Sequence, residues 1–323
     1  MTAWKETVGG RRALTILRSR PFLTVAIVAG VWIAASLASR GFGAYGHLRY
    51  LVELAAVIGL VAAGQTFVVI AGGIDLSVAA IVTVSAISLP LLSWQADPTG
   101  LTAVLAVLAL TTTIGLVNGL GVALLRVHPM IMTLAMATFL QGLLIIIAGG
   151  SAVTAENSLV RWLGNARPAG IPAGVLLWVA VSVIVLAAMH ATSFGARLFA
   201  MGANPLAAAL SGVPVASTTL AVYGISGFTS GLAGVLVLGM NGQGYVGIGD
   251  PYLLASIAAV VLGGTSILGG LGTYAGTIPG AILLVTITAL ITVVNASPGW
   301  RSILFGSLIL GLLLLSGREQ ARR

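Results

Sequence analysis

Residues 195–214 read GARLFAMGANPLAAALSGVP, a short punctuated segment wedged between two long apolar runs near 171–190 and 217–239. A water-side helix between two such runs belongs to a chain threaded through a bilayer. Asn204 is a good N-cap, Pro205 suits the first helical position, and Gly212 is a C-terminal stop. The helix from Pro205 to Ser211 is about 10 Å long at the α-helical rise. Leu206 and Leu210 stand at i and i+4 and place two apolar knobs on one small face. Ala207, Ala208 and Ala209 let a partner surface approach, with Ala208 expected close to the face of the knobs. Such a helix fits a socket on another protein, although the same spacing also describes an ordinary capped loop helix.

The composition agrees with a bilayer. Of 323 residues, 58% are hydrophobic and 7% charged, and the mean hydropathy is +1.11, far beyond what a soluble core of this size accounts for. Runs of membrane-spanning length fall near 22–39, 50–71, 74–93, 101–125, 130–149, 171–190, 217–239, 253–270, 275–296 and 301–316. The expected fold is therefore an all-α polytopic membrane protein of about ten transmembrane helices, which puts both termini on one side. That side collects Lys5, Arg11, Arg12, Arg18, Arg20, Arg126, Arg197, Arg318, Arg322 and Arg323. The other holds Arg40, Arg49, Arg161, Arg167 and Arg301, ten against five of the 15 basic residues. By the positive-inside rule both termini are cytoplasmic. The expected organisation is a cytoplasmic segment 1–21, a transmembrane domain 22–316 with a cytoplasmic helix near 204–212, and a tail 317–323. An Arg-rich start before a run ending Ser36-Leu37-Ala38 has the outline of a signal peptide, but the run is long and the chain beyond it is membrane sequence, so retention is expected.

A net charge of +8 does not point to nucleic acid, because the basic residues gather at span ends and form no patch with interleaved aromatics. The chain has no cysteine, hence no disulfide, thiolate nucleophile or Cys-ligated metal. His47, His128 and His190 share no ligand spacing, so no metal site is expected. GGTSILGGLG at 263–272 lacks the lysine and the preceding strand of a phosphate loop. With no catalytic constellation or cofactor motif, the chain reads as no enzyme.

GGIDLS at 72–77 ends an apolar run, and its two glycines let the backbone turn before an acid that can cap the next helix. Asp75 is expected as that cap, with a place on a transport path as the alternative. Glu53 can snorkel or pair with Arg49 one turn earlier. Gln65, Thr66, Asn118 and Gln141 are the uncharged polar groups deepest within spans. Such groups face other helices or a water-filled passage, and with Asp75 they form the candidate translocation path. Amide and hydroxyl groups without fixed charge suit hydroxyl-rich cargo. Glycines cluster at 115–121, 227–234 and 263–280; Gly227, Gly231 and Gly234 illustrate close-packing positions. Gly interrupts the apolar pattern at the third-to-fourth and eighth-to-ninth boundaries, where strict spanning is not assured. VVIAGG at 68–73 and VVLGG at 260–264 hint at a duplicated half. The loop 150–170 has room for a short surface helix.

Four segments carry a resemblance: GQTFVVIAGGIDLSV (64–78), LLRVHPMIMTLAM (124–136), GANPLAAALSGV (202–213) and GIGDPYLLASIAAVVLGGTSILGGLGTYAGT (247–277). In this order they are similar to the signature segments of ribose-type ABC sugar permeases, over most of residues 50–316. The resemblance implies a permease subunit in the bacterial inner membrane, paired with a second copy or paralogue, energised by a separate cytoplasmic ABC ATPase and fed by a periplasmic substrate-binding protein. It implies a sugar cargo, a pentose, hexose or related polyol. It also implies that Gly202, Asn204, Leu206, Ala208, Leu210 and Gly212 form the coupling region toward the ATPase. Ala79 and Ala80 replace a common Gly and Ser of the family, and His128 a common Pro, so the resemblance does not choose the sugar. A branched-chain amino acid ABC permease is the alternative cargo class, and an ion-coupled secondary transporter the alternative mechanism; a membrane-embedded enzyme comes third.

Overall fold

The computed structural model describes residues 20–39, 41–93, 99–154, 156–293, 297 and 299–320. Residues 1–19 and 321–323, with most of the charge of both expected terminal segments, lie outside them. The helices in chain order are α1 (Arg20–Ala38), α2 (Tyr45–Ile70), α3 (Val78–Leu92), α4 (Leu101–Ala123), α5 (Pro129–Ala148), α6 (Ser158–Asn165), α7 (Ala173–His190), α8 (Ser193–Ala203), α9 (Pro205–Leu210), α10 (Val215–Asn241), α11 (Pro251–Leu262), α12 (Tyr274–Val293) and α13 (Gly299–Gln320). Among the described residues, α2, α4, α5, α7, α10 and α12 are long and apolar enough to cross a membrane, while α3, α11 and the stretch Thr24–Leu37 of α1 form shorter apolar helices. The chain is thus an all-α polytopic membrane protein.

α2 is apolar all round, the signature of a helix surrounded by protein, and from Ala55 to Ile70 every residue is buried. Its main partner α10 is built for close approach. Gly227 of α10 lies 3.1 Å from Gly115 of α4, measured from where a Cβ would stand. Gly234 of the same helix packs on Ser85 of α3. Buried hydroxyls tie this centre together in place of the missing hydrophobic drive between helices in lipid. Ser85 Oγ donates to Gly231 O at 2.8 Å. Trp178 Nε1 of α7 donates to the Tyr274 hydroxyl at 2.8 Å, which donates to Gly59 O of α2 at 2.9 Å. α5 lies at the periphery, with only Thr133, Ala137, Leu140 and Leu144 buried.

Two expected spans are replaced by half-length helices. The run 74–93 opens with an irregular loop, 71–77, and only then forms α3, 15 residues long. The run 253–270 yields α11, 12 residues long and about 18 Å at the helical rise, against a hydrocarbon core of about 30 Å. A glycine-rich loop, 263–273, follows it. The cause is local: Gly72 (φ +86°) and Gly264 (φ +88°) adopt left-handed conformations that end each preceding helix. The two glycine junctions meet. Gly270 N donates to Ile70 O at 2.9 Å, and a Cβ on Gly269 would stand 3.0 Å from Gly72 Cα.

At the opposite end the 150–170 connection contains α6, capped by Asn157 Oδ1 accepting from Val160 N at 3.2 Å. Its Val153–Thr154 strand pairs antiparallel with Gln243–Gly244 after α10. Glu53 makes no ion pair with Arg49 among the described residues, and the Arg49 guanidinium instead lies 5.9 Å from the Tyr45 ring centroid.

Candidate translocation cleft and coupling surface

After α10 the chain does not return to the end of the bundle. Residues 244–250 descend along α3: Gly244 packs on the Ala86 carbonyl, and Gly249 N donates to Thr83 Oγ1 at 3.1 Å. Only glycine fits at Gly249, because a Cβ there would collide with the Ala79 carbonyl. α11 therefore starts beside the first turns of α3, well inside the bundle. Irregular backbone at that depth is tolerated only where it is buried in protein or lines a water-filled cavity. At this point a cleft of about 250 Å³ opens, lined by Leu76, Ala79, Thr138, Gln141, Asp250 and Leu253 among others. Asp250 is exposed and precedes Pro251 at the first position of α11; its carboxylate has no hydrogen-bond or ion-pair partner among the described residues. Gln141 and Thr138 reach the same cleft one turn apart on α5. Amide, hydroxyl and free carboxylate on one apolar wall can hydrogen-bond a polyhydroxy molecule.

The other candidate path residues lie elsewhere. Asp75 is buried and fully engaged: Ser77 N and Ser77 Oγ donate to its Oδ1 at 2.9 and 2.6 Å, and Ser226 Oγ of α10 donates to its Oδ2 at 2.7 Å. Asn118 Nδ2 of α4 donates to Ser77 Oγ at 2.8 Å. The cap expected of Asp75 is not formed. Ser77 is the N-cap residue of α3 and makes no side-chain cap bond, so the acid lies too early to reach the helix's free N–H groups. It closes a turn inside the loop and ties that loop to α10. Tyr223 adds a hydroxyl, 2.8 Å from where a Cβ on Gly73 would stand; it and Asn118 Oδ1 are buried without partners. Gln65 is wholly buried with neither amide atom hydrogen-bonded. Thr66 Oγ1 donates to Ala62 O at 2.6 Å and meets Thr277 Oγ1 at 3.1 Å. Asp75 and Asn118 thus come together through Ser77, Thr66 sits at the α2–α12 contact, Gln65 is buried next to it in sequence on α2, and Gln141 stands apart with Asp250.

Sequence reasoning missed Asp250 and Thr138. The signal for Asp250 is present, an Asp-Pro after spaced glycines and before an apolar run, but by length alone that run reads as a full span. Nothing local marked Thr138, Ser226 or Tyr223.

At the glycine-junction end, α9 has the expected build. Asn204 Oδ1 accepts from Ala207 N at 3.0 Å, Pro205 takes the first position, and Gly212 has φ +82°. Leu206 and Leu210 are 71% and 83% exposed. Ala208 corrects the expectation: at 5% exposure it is turned into the protein, because at 100° per residue it stands off the stripe that Leu206 and Leu210 share. Gly202, at the end of α8, is pressed against Ile70 O and Gly270 N, where any side chain would collide. Phe194 of α8 packs on Phe67 of α2 with centroids 5.8 Å apart. The α8–α9 unit is therefore seated on the place where both glycine junctions meet.

Residues 48–313 match the family described as branched-chain amino acid transport system / permease component. The ribose import permease protein of Escherichia coli (strain K12) is 32% identical over 98% of this chain and 99% of its own length. That of Bacillus subtilis (strain 168) is 32% identical over 93% of each. The L-arabinose transport system permease protein of Escherichia coli (strain K12) is 31% identical over 91% of this chain and 89% of its own length. The chain belongs to this permease family. Within it, the chain is a multi-pass inner-membrane permease of the ribose-type ABC class.

Proposed function

We infer that this chain is the permease subunit of an ATP-binding-cassette importer that forms the translocation path for a pentose, hexose or related polyol. In this reading the chain crosses the inner membrane ten times, with both termini in the cytoplasm; two of the crossings are part helix and part irregular loop, at 71–77 with α3 and at 244–250 with α11. α8 and α9 face a cytoplasmic ABC ATPase, and a periplasmic binding protein delivers cargo to the opposite end. The observation that carries it is α9, a capped helix with Leu206 and Leu210 projecting into solvent while Gly202 behind it bears on both glycine junctions. Movement imposed on α9 reaches loops 71–77 and 263–273 through Gly202 and Ala203 at the end of α8. The cleft of Gln141, Thr138 and Asp250 is one wall of the path, and a second permease, copy or paralogue, supplies the facing wall. Gln65, Thr66, Asp75 and Asn118 act at the helix contacts that rearrange when the path opens; Gln65, Asn118 and Tyr223 hold buried groups ready for new partners.

Reconstituting the permease with its ATPase and binding protein in liposomes tests this. Sugar accumulation is expected with ATP and none with a hydrolysis-dead ATPase; uphill uptake driven by a proton or sodium gradient alone would overturn it. The family description favours one second reading, a branched-chain amino acid as cargo. A ligand screen on the cognate binding protein separates the two.

A further inference from the structure

A second cavity, of about 490 Å³, lies among α2, α11, α12 and α13, apart from the cleft, and falls within the size range of small-molecule sites. Its polarity is graded. The rim is formed by His47 and Tyr50 from the first turns of α2, Thr292 from the last turn of α12 and Arg301 from the first turn of α13. Leu54 and Ile58 follow one and two turns deeper on α2, and Ala255, Val285, Ala289 and Phe305 complete an apolar wall. Tyr252 and Thr288 carry hydroxyls between the two zones.

The rim is built but incomplete. Arg301 Nη2 donates to Thr292 Oγ1 at 2.9 Å, which holds the guanidinium in place. Arg301 Nε and His47 Nε2 are both buried without a partner. A buried donor left unmade costs about 1–3 kcal/mol, more for a charged group. No carboxylate is among the described lining residues, so an anion entering the cavity meets a cationic rim with acceptor positions open. A guanidinium suits phosphate oxygens. A sugar finds no partners along the apolar wall, whereas a headgroup with an acyl chain matches both zones, since the rim sits at the ends of membrane helices.

We propose that this cavity binds one anionic phospholipid, its phosphate at Arg301 and His47 and one acyl chain along Leu54, Ile58 and Val285. The proposal does not depend on the cargo or on the coupling reading. The test is native mass spectrometry of the delipidated full-length permease with added phosphatidylglycerol, phosphatidylcholine or inorganic phosphate. One tightly held phosphatidylglycerol is expected. Arg301→Gln should weaken its retention about tenfold, the scale of one lost charge-assisted hydrogen bond. Ala289→Trp should exclude it by filling the wall, and this variant alone decides the matter if thermal unfolding shows that Arg301→Gln does not fold. Equal retention of both lipids, untouched by either variant, overturns the proposal. So does inorganic phosphate displacing the lipid adduct regardless of Ala289→Trp, or a photo-crosslinker at position 289 that captures a second permease instead of lipid.

Discussion

Asp75 and Asp250 both follow glycines and both precede a half-length apolar helix, yet the structure treats them oppositely. Asp75 is buried, with both oxygens bonded by Ser77 and Ser226. Asp250 is exposed to a cleft it shares with Gln141, and no described residue bonds its carboxylate. The difference comes from what stands opposite. α10 presents Ser226 to the first break, while the second opens toward the sparsely packed α5. The same local grammar therefore makes a structural tie in one place and leaves a carboxylate facing a cleft in the other.

The sharpest way to break this comparison is Asp75→Leu. Removing the acceptor leaves the hydroxyls of Ser77 and Ser226 buried without it, at a cost of at least about 3 kcal/mol. The expected outcome is loss of folded, monodisperse permease in size-exclusion chromatography of detergent extracts. Asp75→Asn retains an acceptor oxygen and should keep most uptake; if it were as inactive as Asp75→Leu while inserting normally, the charge itself would be essential and the tie incidental.

A somewhat smaller effect, confined to assembly, is expected at α9. Leu210→Glu should leave permease abundance intact but abolish co-purification of the ATPase, because an apolar socket cannot desolvate a charge cheaply. Ala208→Trp, in contrast, should lower the thermal stability of the permease itself, since that position is buried; a stable permease that merely fails to bind ATPase would place Ala208 on the docking face after all.

At the cleft, Asp250→Ala should fold normally and reduce uptake in liposomes about tenfold, near the value of one hydrogen bond to a charged group. A stability loss as large as that of Asp75→Leu would erase the distinction between the two acids. The smallest effect is expected for Asn204→Ala, about 1 kcal/mol for a lost cap, read as a modest drop in ATPase co-purification beside that of Leu210→Glu.

Much of this was legible along the chain. Apolar run lengths located the helices because the bilayer sets a minimum length for burying backbone. The α9 cap was legible because Asn204, Pro205, Ala207 and Gly212 act within one or two turns of each other. The glycine interruption at the eighth-to-ninth boundary marks one place where spanning fails, at Gly264, whereas the other break lies at Gly72, ahead of the third run and not at the third-to-fourth boundary; each glycine needs only its own backbone freedom to end a helix. Packing decided the rest. Ser226 lies 151 residues from the Asp75 it bonds, and Thr83 lies 166 residues from the Gly249 it anchors. Those contacts determine which acid is satisfied, where α11 begins, and that Gln141 meets Asp250. Helix ends and span lengths are local and one-dimensional, whereas burial and hydrogen-bond satisfaction depend on which distant helix stands opposite, and no periodicity encodes that.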